Sequence, residues 1–225
     1  MLQANFPSNA PNNFPNNFLG FNAYFSHYLK QEKDIVSKYL RQHFGYYLLL
    51  LGQTDLSLVS NSPVLIQIPV SLPQDFDQRS VLKKIELVAD YSALPFFPES
   101  MDVIVLAHAL GKLKNLEILE VLKESYKTLR HDGILIISEF NFFNFSARKF
   151  FYKNKIKYKF YPVWVIKKYL DQAGFDCLEL KIISGGYVLL AKKKTMGLTP
   201  LSLKAMDQLA IKIREPLLIS EREGI

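Results

Sequence analysis

The stretch Asp90-Tyr-Ser-Ala-Leu-Pro-Phe-Phe-Pro-Glu-Ser-Met-Asp-Val-Ile-Val-Leu-Ala-His108 joins a turn-rich half to an apolar half. Its second half, Met101 to Ala107, is a short apolar run that carries one charge, Asp102. Such a run is typical of a strand that is buried on both faces, as in parallel sheets. The apolar run Ile85 to Ala89, which closes on Asp90, predicts the preceding strand. The prolines between the two runs predict a surface connection.

Similar patterns extend the sheet in both directions. Further buried strands are predicted at Tyr46 to Leu51, Val64 to Ile68 and Ile134 to Ser138. Apolar residues at helical spacing predict helices at Asn22 to His43, Leu116 to Arg130 and Trp164 to Ala173. The turn His131-Asp132-Gly133 should end the second helix, and Gly174 the third. Strands that alternate with helices indicate an α/β fold with a mainly parallel sheet. The strands Cys177 to Ile183 and Tyr187 to Lys192, joined through Gly185 and Gly186, predict a closing antiparallel hairpin.

Composition predicts the boundaries of the domain and its compartment. We expect a flexible Asn/Pro-rich arm over residues 1–20, the folded domain over residues 21–195 and a tail over residues 196–225. The apolar runs fall short of the ~20 residues that a membrane-spanning helix needs. Because the single cysteine, Cys177, excludes an internal disulfide, a reducing and cytoplasmic location is expected.

Four segments, in the right order, carry a resemblance to a known family. Residues 90–108 resemble the middle of class I S-adenosylmethionine-dependent methyltransferases of the ubiquinone- and biotin-pathway type, where Asp is followed by Leu-Pro-Phe and an Asp-led strand. Residues 122–137, 164–175 and 186–193 are similar to that family's later helices and strands. Phe44-Gly45-Tyr-Tyr-Leu-Leu-Leu-Leu-Gly52 and Glu139-Phe140-Asn141 look like the YafS-like bacterial branch. The resemblance implies a Rossmann-like seven-stranded sheet and S-adenosylmethionine as cofactor.

The resemblance also implies roles for individual residues. Gly52 and Gln53 should approach the methionine part of the cofactor, Asp90 should accept from the adenine amino group, and Tyr91 should supply backbone contacts. Ala107 and His108 should border the methyl group and the acceptor. An imidazole titrates near neutrality, so His108 is the candidate general base, the alternative being a hydrogen-bonded wall residue. The histidines and Cys177 do not make a metal-ligand spacing, and we expect no metal site.

The glycine motif is degenerate. Family members carry an acidic residue and two or three glycines after strand one, whereas Leu51-Gly52-Gln53-Thr54-Asp55 has one glycine. The expected carboxylate after strand two is missing, with Asp75 and Asp77 as the nearest substitutes. Two hypotheses therefore stand. The first is a methyltransferase with an unidentified acceptor. The second is an inactive relative that binds nucleic acid, a membrane or a protein partner.

Charge is distributed unevenly along the chain. Residues 85–140 hold nine acidic and five basic side chains, while residues 141–195 hold twelve basic and three acidic ones. Aromatic residues interleave with the basic ones, a combination that suits phosphate contacts and base stacking, an anionic membrane surface, or a lid over the substrate pocket. We call residues 148–168, an insertion in the domain, the basic segment. The basic residues proposed for such contacts are Arg148, Lys149, Lys153, Lys155, Lys157 and Lys159.

Overall fold

A computed structural model describes residues 19–52, 56–73 and 87–194, with side chains from residue 25 onward. In chain order the elements are α1 (Leu19–Leu40), β1 (Tyr47–Gly52), β2 (Ile66–Ser71), β3 (Leu87–Val88), β4 (Met101–Ala107), α2 (Asn115–Thr128), β5 (Leu129–Phe140), α3 (Phe145–Lys153), α4 (Val163–Ala173), β6 (Phe175–Ile183) and β7 (Gly186–Lys193).

The strands form one seven-stranded sheet in the order β3-β2-β1-β4-β5-β7-β6. Neighbours from β3 to β5 pair in parallel, and β7 pairs antiparallel with both β5 and β6. This topology confirms the predicted α/β fold with an antiparallel C-terminal hairpin. It also brings the carboxyl ends of β1, β2, β3 and β4 to one edge, where ligands bind in open α/β sheets.

Alternation along the central strands creates two cores. Leu49, Leu51, Ile104 and Leu106 point to the face that is covered by α2 and α4. Their neighbours in the chain, such as Leu50 and Val105, point to the opposite face, where they meet Val36, Tyr39 and Leu40 of α1. Burial on both sides explains why these strands are continuous apolar runs. The described helices do not include one that is long and apolar enough to cross a membrane.

Several predicted boundaries differ from those of the structure, and two of the differences have identifiable reasons. Strand β2 runs through Pro69 to Ser71 instead of ending at Ile68. The ladder to β1 continues through the pairs Leu50–Pro69 and Leu51–Val70, and this pairing extends the strand past the proline. The turn predicted at residues 131–133 lies inside β5, where the register against β4 shifts between the pairs Met101–Leu129 and Val103–Ile134. The turn signal therefore produces an irregularity within a strand.

Asp102 ties the start of β4 to its neighbours. Its Oδ2 accepts from the backbone N–H groups of Tyr46 (2.7 Å) and Tyr47 (3.0 Å), and its Oδ1 accepts from Arg130 Nη1 (3.0 Å). Partial burial alone would raise the pKa of Asp102, but the bonds from Tyr47, Arg130 and Tyr46 outweigh it and hold the pKa below its ordinary value. The only charged residue of this strand is therefore a structural anchor.

Replacing Asp102 by Asn should destabilise the fold by about 1–2 kcal/mol at pH 7, because charge-assisted bonds are lost. A carboxyl whose pKa is depressed on folding stabilises above its unfolded pKa of about 3.9, and this stability is lost as pH falls through the folded pKa. Urea unfolding at pH 7 and pH 3 should show the difference between wild type and variant shrinking at the lower pH. The exposed Asp176→Asn serves as control, and an equal loss at both pH values would contradict the assignment.

Candidate functional site

The carboxyl ends of β1 and β4 lie side by side. Gly52 pairs with Ala107 in the parallel ladder. Gly52 has φ +96°, and a Cβ there would lie 2.3 Å from the Ala107 carbonyl oxygen and 2.9 Å from the Ala109 Cα. Glycine is therefore required at this position both for its backbone conformation and for the close approach of the segment after β4. The next residue, Gln53, lies outside the described residues, as do Asp75 and Asp77.

Tyr91 reaches from the end of β3 across β2 to β1. Its hydroxyl accepts from the Gly52 N–H (2.9 Å) and donates to the Val70 carbonyl oxygen (3.1 Å). The side chain has no exposed surface. The phenol thus occupies the crevice edge at which the sequence predicts only backbone contacts from this residue.

Asp90, directly before Tyr91, is exposed at the carboxyl end of β3. Its Oδ1 accepts from the Ser92 N–H (2.9 Å) and the Ser92 hydroxyl (2.8 Å). These two bonds lower the pKa of Asp90 in spite of a small opposing effect of burial. The turn therefore presents an ionised carboxylate at neutral pH.

His108, at the end of β4, belongs to a fully buried polar cluster. Its Nε2 lies 3.1 Å from Oε1 of Glu32 on α1, and the Ser138 hydroxyl donates to the same carboxylate. The imidazole stacks on Phe140, with ring centroids 4.5 Å apart. His108 also has φ +53°, a conformation that is uncommon for a residue with a side chain. The structure thus places this candidate base in the interior, facing α1.

Glu32 is the residue that the sequence-based prediction missed. It lies four residues from both Tyr28 and Val36, on the apolar stripe of α1, and is fully buried. A carboxylate on such a stripe must be paired, because burying an isolated charge is costly. Its position in the helical pattern was the signal that could have found it.

The charges in this cluster shift the pKa of His108. Burial by itself lowers it, but the charge and the hydrogen bond of Glu32 outweigh this effect and raise the pKa above its ordinary value. The folded protein therefore favours the imidazolium more than water does, and protonation of His108 completes a buried ion pair with Glu32 between α1 and β4.

Glu139 links the segment after β4 to the basic segment. Its Oε1 accepts from the Leu110 N–H (2.7 Å), and its Oε2 accepts from the Tyr158 hydroxyl. Burial raises the pKa of Glu139, and His108, Tyr158 and the backbone N–H groups of residues 110 and 111 partly offset that rise. Lys159 N–H donates to the Gly111 carbonyl (2.7 Å), so residues 158–159 are fastened beside the end of β4.

The basic segment surrounds two neighbouring cavities, of about 650 and 500 Å³. The larger is lined by Phe142, Arg148, Lys149, Phe151, Tyr152, Ile156, Tyr158, Lys159, Phe160 and Tyr161. The smaller is lined by Lys153, Lys155, Lys157 and residues shared with the first. The Arg148 guanidinium lies 5.1 Å from the Phe142 ring centroid. Aromatic walls and cations together suit a planar anionic ligand.

Comparison with known proteins identifies the fold of this chain. A family model described as a methyltransferase domain matches residues 68–137, a range that includes Asp90, β4 and α2. Solved methyltransferase structures match this seven-stranded architecture. The chain has the class I methyltransferase fold.

Three solved structures illustrate this methyltransferase fold at low sequence identity. A possible histamine N-methyltransferase from Thermotoga maritima has a TM-score of 0.60 and 17% identity, covering 78% of this chain and 94% of its own. The putative methyltransferase complex with the Trm112 activator from Haloferax volcanii gives 0.60 and 12%, covering 79% and 95%. The neocarzinostatin O-methyltransferase NcsB1, solved with S-adenosylmethionine and 2-hydroxy-5-methyl naphthoic acid, gives 0.56 and 15%, covering 77% and 57%. A search of curated proteins finds no match.

The methyltransferase fold brings most of the predicted site together. Gly52 and Ala107 are adjacent, Tyr91 touches Gly52, and Asp90 adjoins Tyr91. His108 follows Ala107 but turns towards Glu32. Among the residues that the structure describes, no group of three or more His, Cys, Asp or Glu side chains is arranged to hold a metal ion.

Replacing Glu32 by Gln should lower the pKa of His108, since burial and the charge of Lys112 are then opposed only by the charge of Glu139. A raised folded-state pKa gives stability that is complete below the unfolded value of about 6.5 and is lost as pH rises through the folded value. Breaking the pair should thus cost about 3 kcal/mol at pH 6 and less at pH 9.

NMR titration of the His108 ring and urea unfolding at both pH values measure these effects. Asp34→Asn, an exposed carboxylate change on the same helix, is the matched control and should leave both unchanged. A His108 pKa that is unaffected by Glu32→Gln would refute the ion pair.

Proposed function

We propose that the protein is an S-adenosylmethionine-dependent methyltransferase that acts on an unidentified acceptor. The carrying observation is the ionised, exposed Asp90 at the carboxyl end of β3, on the same edge of the sheet as the ends of β1 and β4 in a methyltransferase fold. The family match over residues 68–137 supports the proposal. The presence of S-adenosylmethionine in the NcsB1 structure supports the choice of cofactor.

Several residues at this edge fit an adenosyl ligand. Asp90 would accept from the adenine amino group, the Tyr91 backbone would contact the ring, and Gly52 and Ala107 would border the methionine part. Gln53, outside the described residues, keeps its predicted place beside Gly52. The cofactor, when bound, supplies a methyl group activated by a positively charged sulfur. The chain's contribution is then to hold the acceptor and the donor in line, since transfer depends mainly on proximity and orientation.

The acceptor side of this proposal is the basic segment. Tyr158 lines the larger cavity and also reaches Glu139, which holds the backbone directly after β4. A cavity beside that segment would place an acceptor near the end of β4. Because residues 141–170 contain eight basic side chains and no acidic one, the acceptor should be anionic.

His108 remains proposed as the general base. In the described conformation its ring is enclosed by Glu32 and Phe140 and lines neither of the two cavities of the basic segment. Glu32 would stabilise the imidazolium that forms when His108 takes a proton. Proton transfer would therefore require the cluster to open, because the His108 side chain has no exposed surface.

A second proposal is a methyltransferase-like protein without catalysis, which binds nucleic acid, an anionic membrane or a protein partner through the basic segment. Two observations favour it. The Gly52 N–H already donates to the Tyr91 hydroxyl. The basic segment contains no acidic residue that would neutralise its positive charge. Cofactor binding separates the two proposals.

Replacing Asp90 by Ala should weaken binding of S-adenosylhomocysteine about tenfold or more, because a charge-assisted hydrogen bond is lost. Isothermal titration calorimetry measures this. Ser92→Ala is the matched control: it removes a side-chain bond of the turn but keeps the carboxylate, and should change affinity little. Absence of binding to the wild type at millimolar ligand would end the enzyme proposal, and equal affinity of Asp90→Ala would refute the role of Asp90.

Binding of a single-stranded oligonucleotide should weaken steeply with salt if the basic segment contacts phosphates. Replacing Lys153, Lys155 and Lys157 by Gln should reduce the log–log salt slope by about one for each phosphate that the variant no longer neutralises. Fluorescence anisotropy between 50 and 200 mM salt measures the slope, and Lys30→Gln with Lys38→Gln on α1 is the control. A flat salt response, or no binding, removes the nucleic-acid proposal.

A further inference from the structure

We propose that the side chain of Tyr91 holds the adenosyl crevice closed and thereby sets the affinity of the protein for its cofactor. This inference rests on the proposed function and adds a residue that controls ligand access at the same site. It concerns the phenol of Tyr91, whereas the family resemblance assigns a role only to the backbone at this position.

The first argument is the position of the hydroxyl in the sheet. Leu51 and Val70 are the last residues that β1 and β2 pair with each other. Beyond that pair, the Gly52 N–H and the Val70 carbonyl are the donor and acceptor at the strand ends. The Tyr91 hydroxyl lies between them and bonds to both, at 2.9 and 3.1 Å. It therefore bridges the two strands at the edge where the crevice opens.

The second argument is the burial of the side chain. Tyr91 is completely enclosed, packed in the core cluster that also contains Leu51, Val70 and Ala109. A buried hydroxyl without partners costs free energy, but this one has its donor and acceptor capacity satisfied by backbone. The closed position is thus a well-bonded state of the side chain, and leaving it breaks two hydrogen bonds.

The third argument is the contrast with the residue beside it. Asp90 and Tyr91 share one turn, in which the Ala93 N–H donates to the Asp90 carbonyl (3.1 Å). That turn directs Asp90 to solvent and Tyr91 into the strand ends. The exposed carboxylate can accept a hydrogen bond from an adenine amino group, whereas the Gly52 N–H already donates to the Tyr91 hydroxyl.

Binding then becomes a competition for the Gly52 edge. A ligand that contacts Gly52 must displace the phenol, so its apparent affinity is reduced by the fraction of molecules in which the phenol is out. A small residue at position 91 abolishes that competition. The degenerate glycine loop and Tyr91 would act in the same direction, towards weak binding.

The test uses the full chain with Tyr91→Phe and Tyr91→Ala. The Phe variant removes the hydroxyl but keeps the ring, so exchange of the Gly52 amide hydrogen should rise at least about tenfold, since its bond is lost. The Ala variant also frees the space, and calorimetry should show S-adenosylhomocysteine bound at least about tenfold more tightly than by the wild type. Tyr187→Phe, another buried tyrosine, on β7, is the matched control and should change neither measurement.

Each outcome decides the matter. Tighter binding by Tyr91→Ala, or by Tyr91→Phe should the Ala variant fail to fold, supports the proposal. Equal or weaker binding by every folded variant, with measurable binding by the wild type, overturns the role of Tyr91 and leaves the proposed function standing. No binding by wild type or variants overturns both. An unchanged Gly52 exchange rate in Tyr91→Phe shows that the hydroxyl does not engage Gly52 in solution, which also overturns the inference.

Discussion

Burial on both faces of β1, β4 and β5 is the constraint on which the rest of the structure depends. Most side chains of β1, β4 and the second half of β5 point into one of two apolar cores, so a charge is tolerated only near the ends of these strands. Asp102 stands at the start of β4, while His108 and Glu139 stand at the ends of β4 and β5. The buried ionisable groups at the ends of these strands, His108 and Glu139, therefore lie at the carboxyl edge of the sheet. The position of the candidate site is therefore determined by the sheet as well as by the residues of the site itself.

The ion pair between Glu32 and His108 extends this edge to the N-terminal helix. A buried pair is costly to assemble, but removing one partner is costlier still, because the other charge is left in an apolar interior. Helix α1 therefore cannot leave the sheet without exposing or neutralising His108. On the far side of Phe140, the bond from Tyr158 to Glu139 fastens the basic segment in a comparable way. Buried carboxylates thus anchor both elements next to the site: Glu32 anchors α1, and Glu139 anchors the basic segment.

Much of the fold could be predicted because its signals are local. The continuous apolar run predicts both ends of β4 correctly. Gly174 ends α4 in the left-handed conformation expected of a helix C-cap. The features that could not be predicted depend on contacts distant in sequence. β2 continues through Pro69 because β1 pairs with it as far as Val70, and the phenol of Tyr91 finds partners on two other strands. The place of Glu32 on an apolar stripe indicates that this residue needs a partner. The sequence does not identify that partner as His108, 76 residues away.

Gly111 offers a means of adjusting the basic cavity without altering the residues that line it. A Cβ at this position would lie 2.1 Å from the Tyr158 ring, so any larger residue must push that ring outward. Because Tyr158 is at once a wall of the cavity and a hydrogen-bond donor to Glu139, such a push changes the shape of the cavity and the electrostatics beneath it together. For redesign of ligand preference, the size of the side chain at position 111, which does not line the cavity, would therefore set how far the Tyr158 ring is displaced.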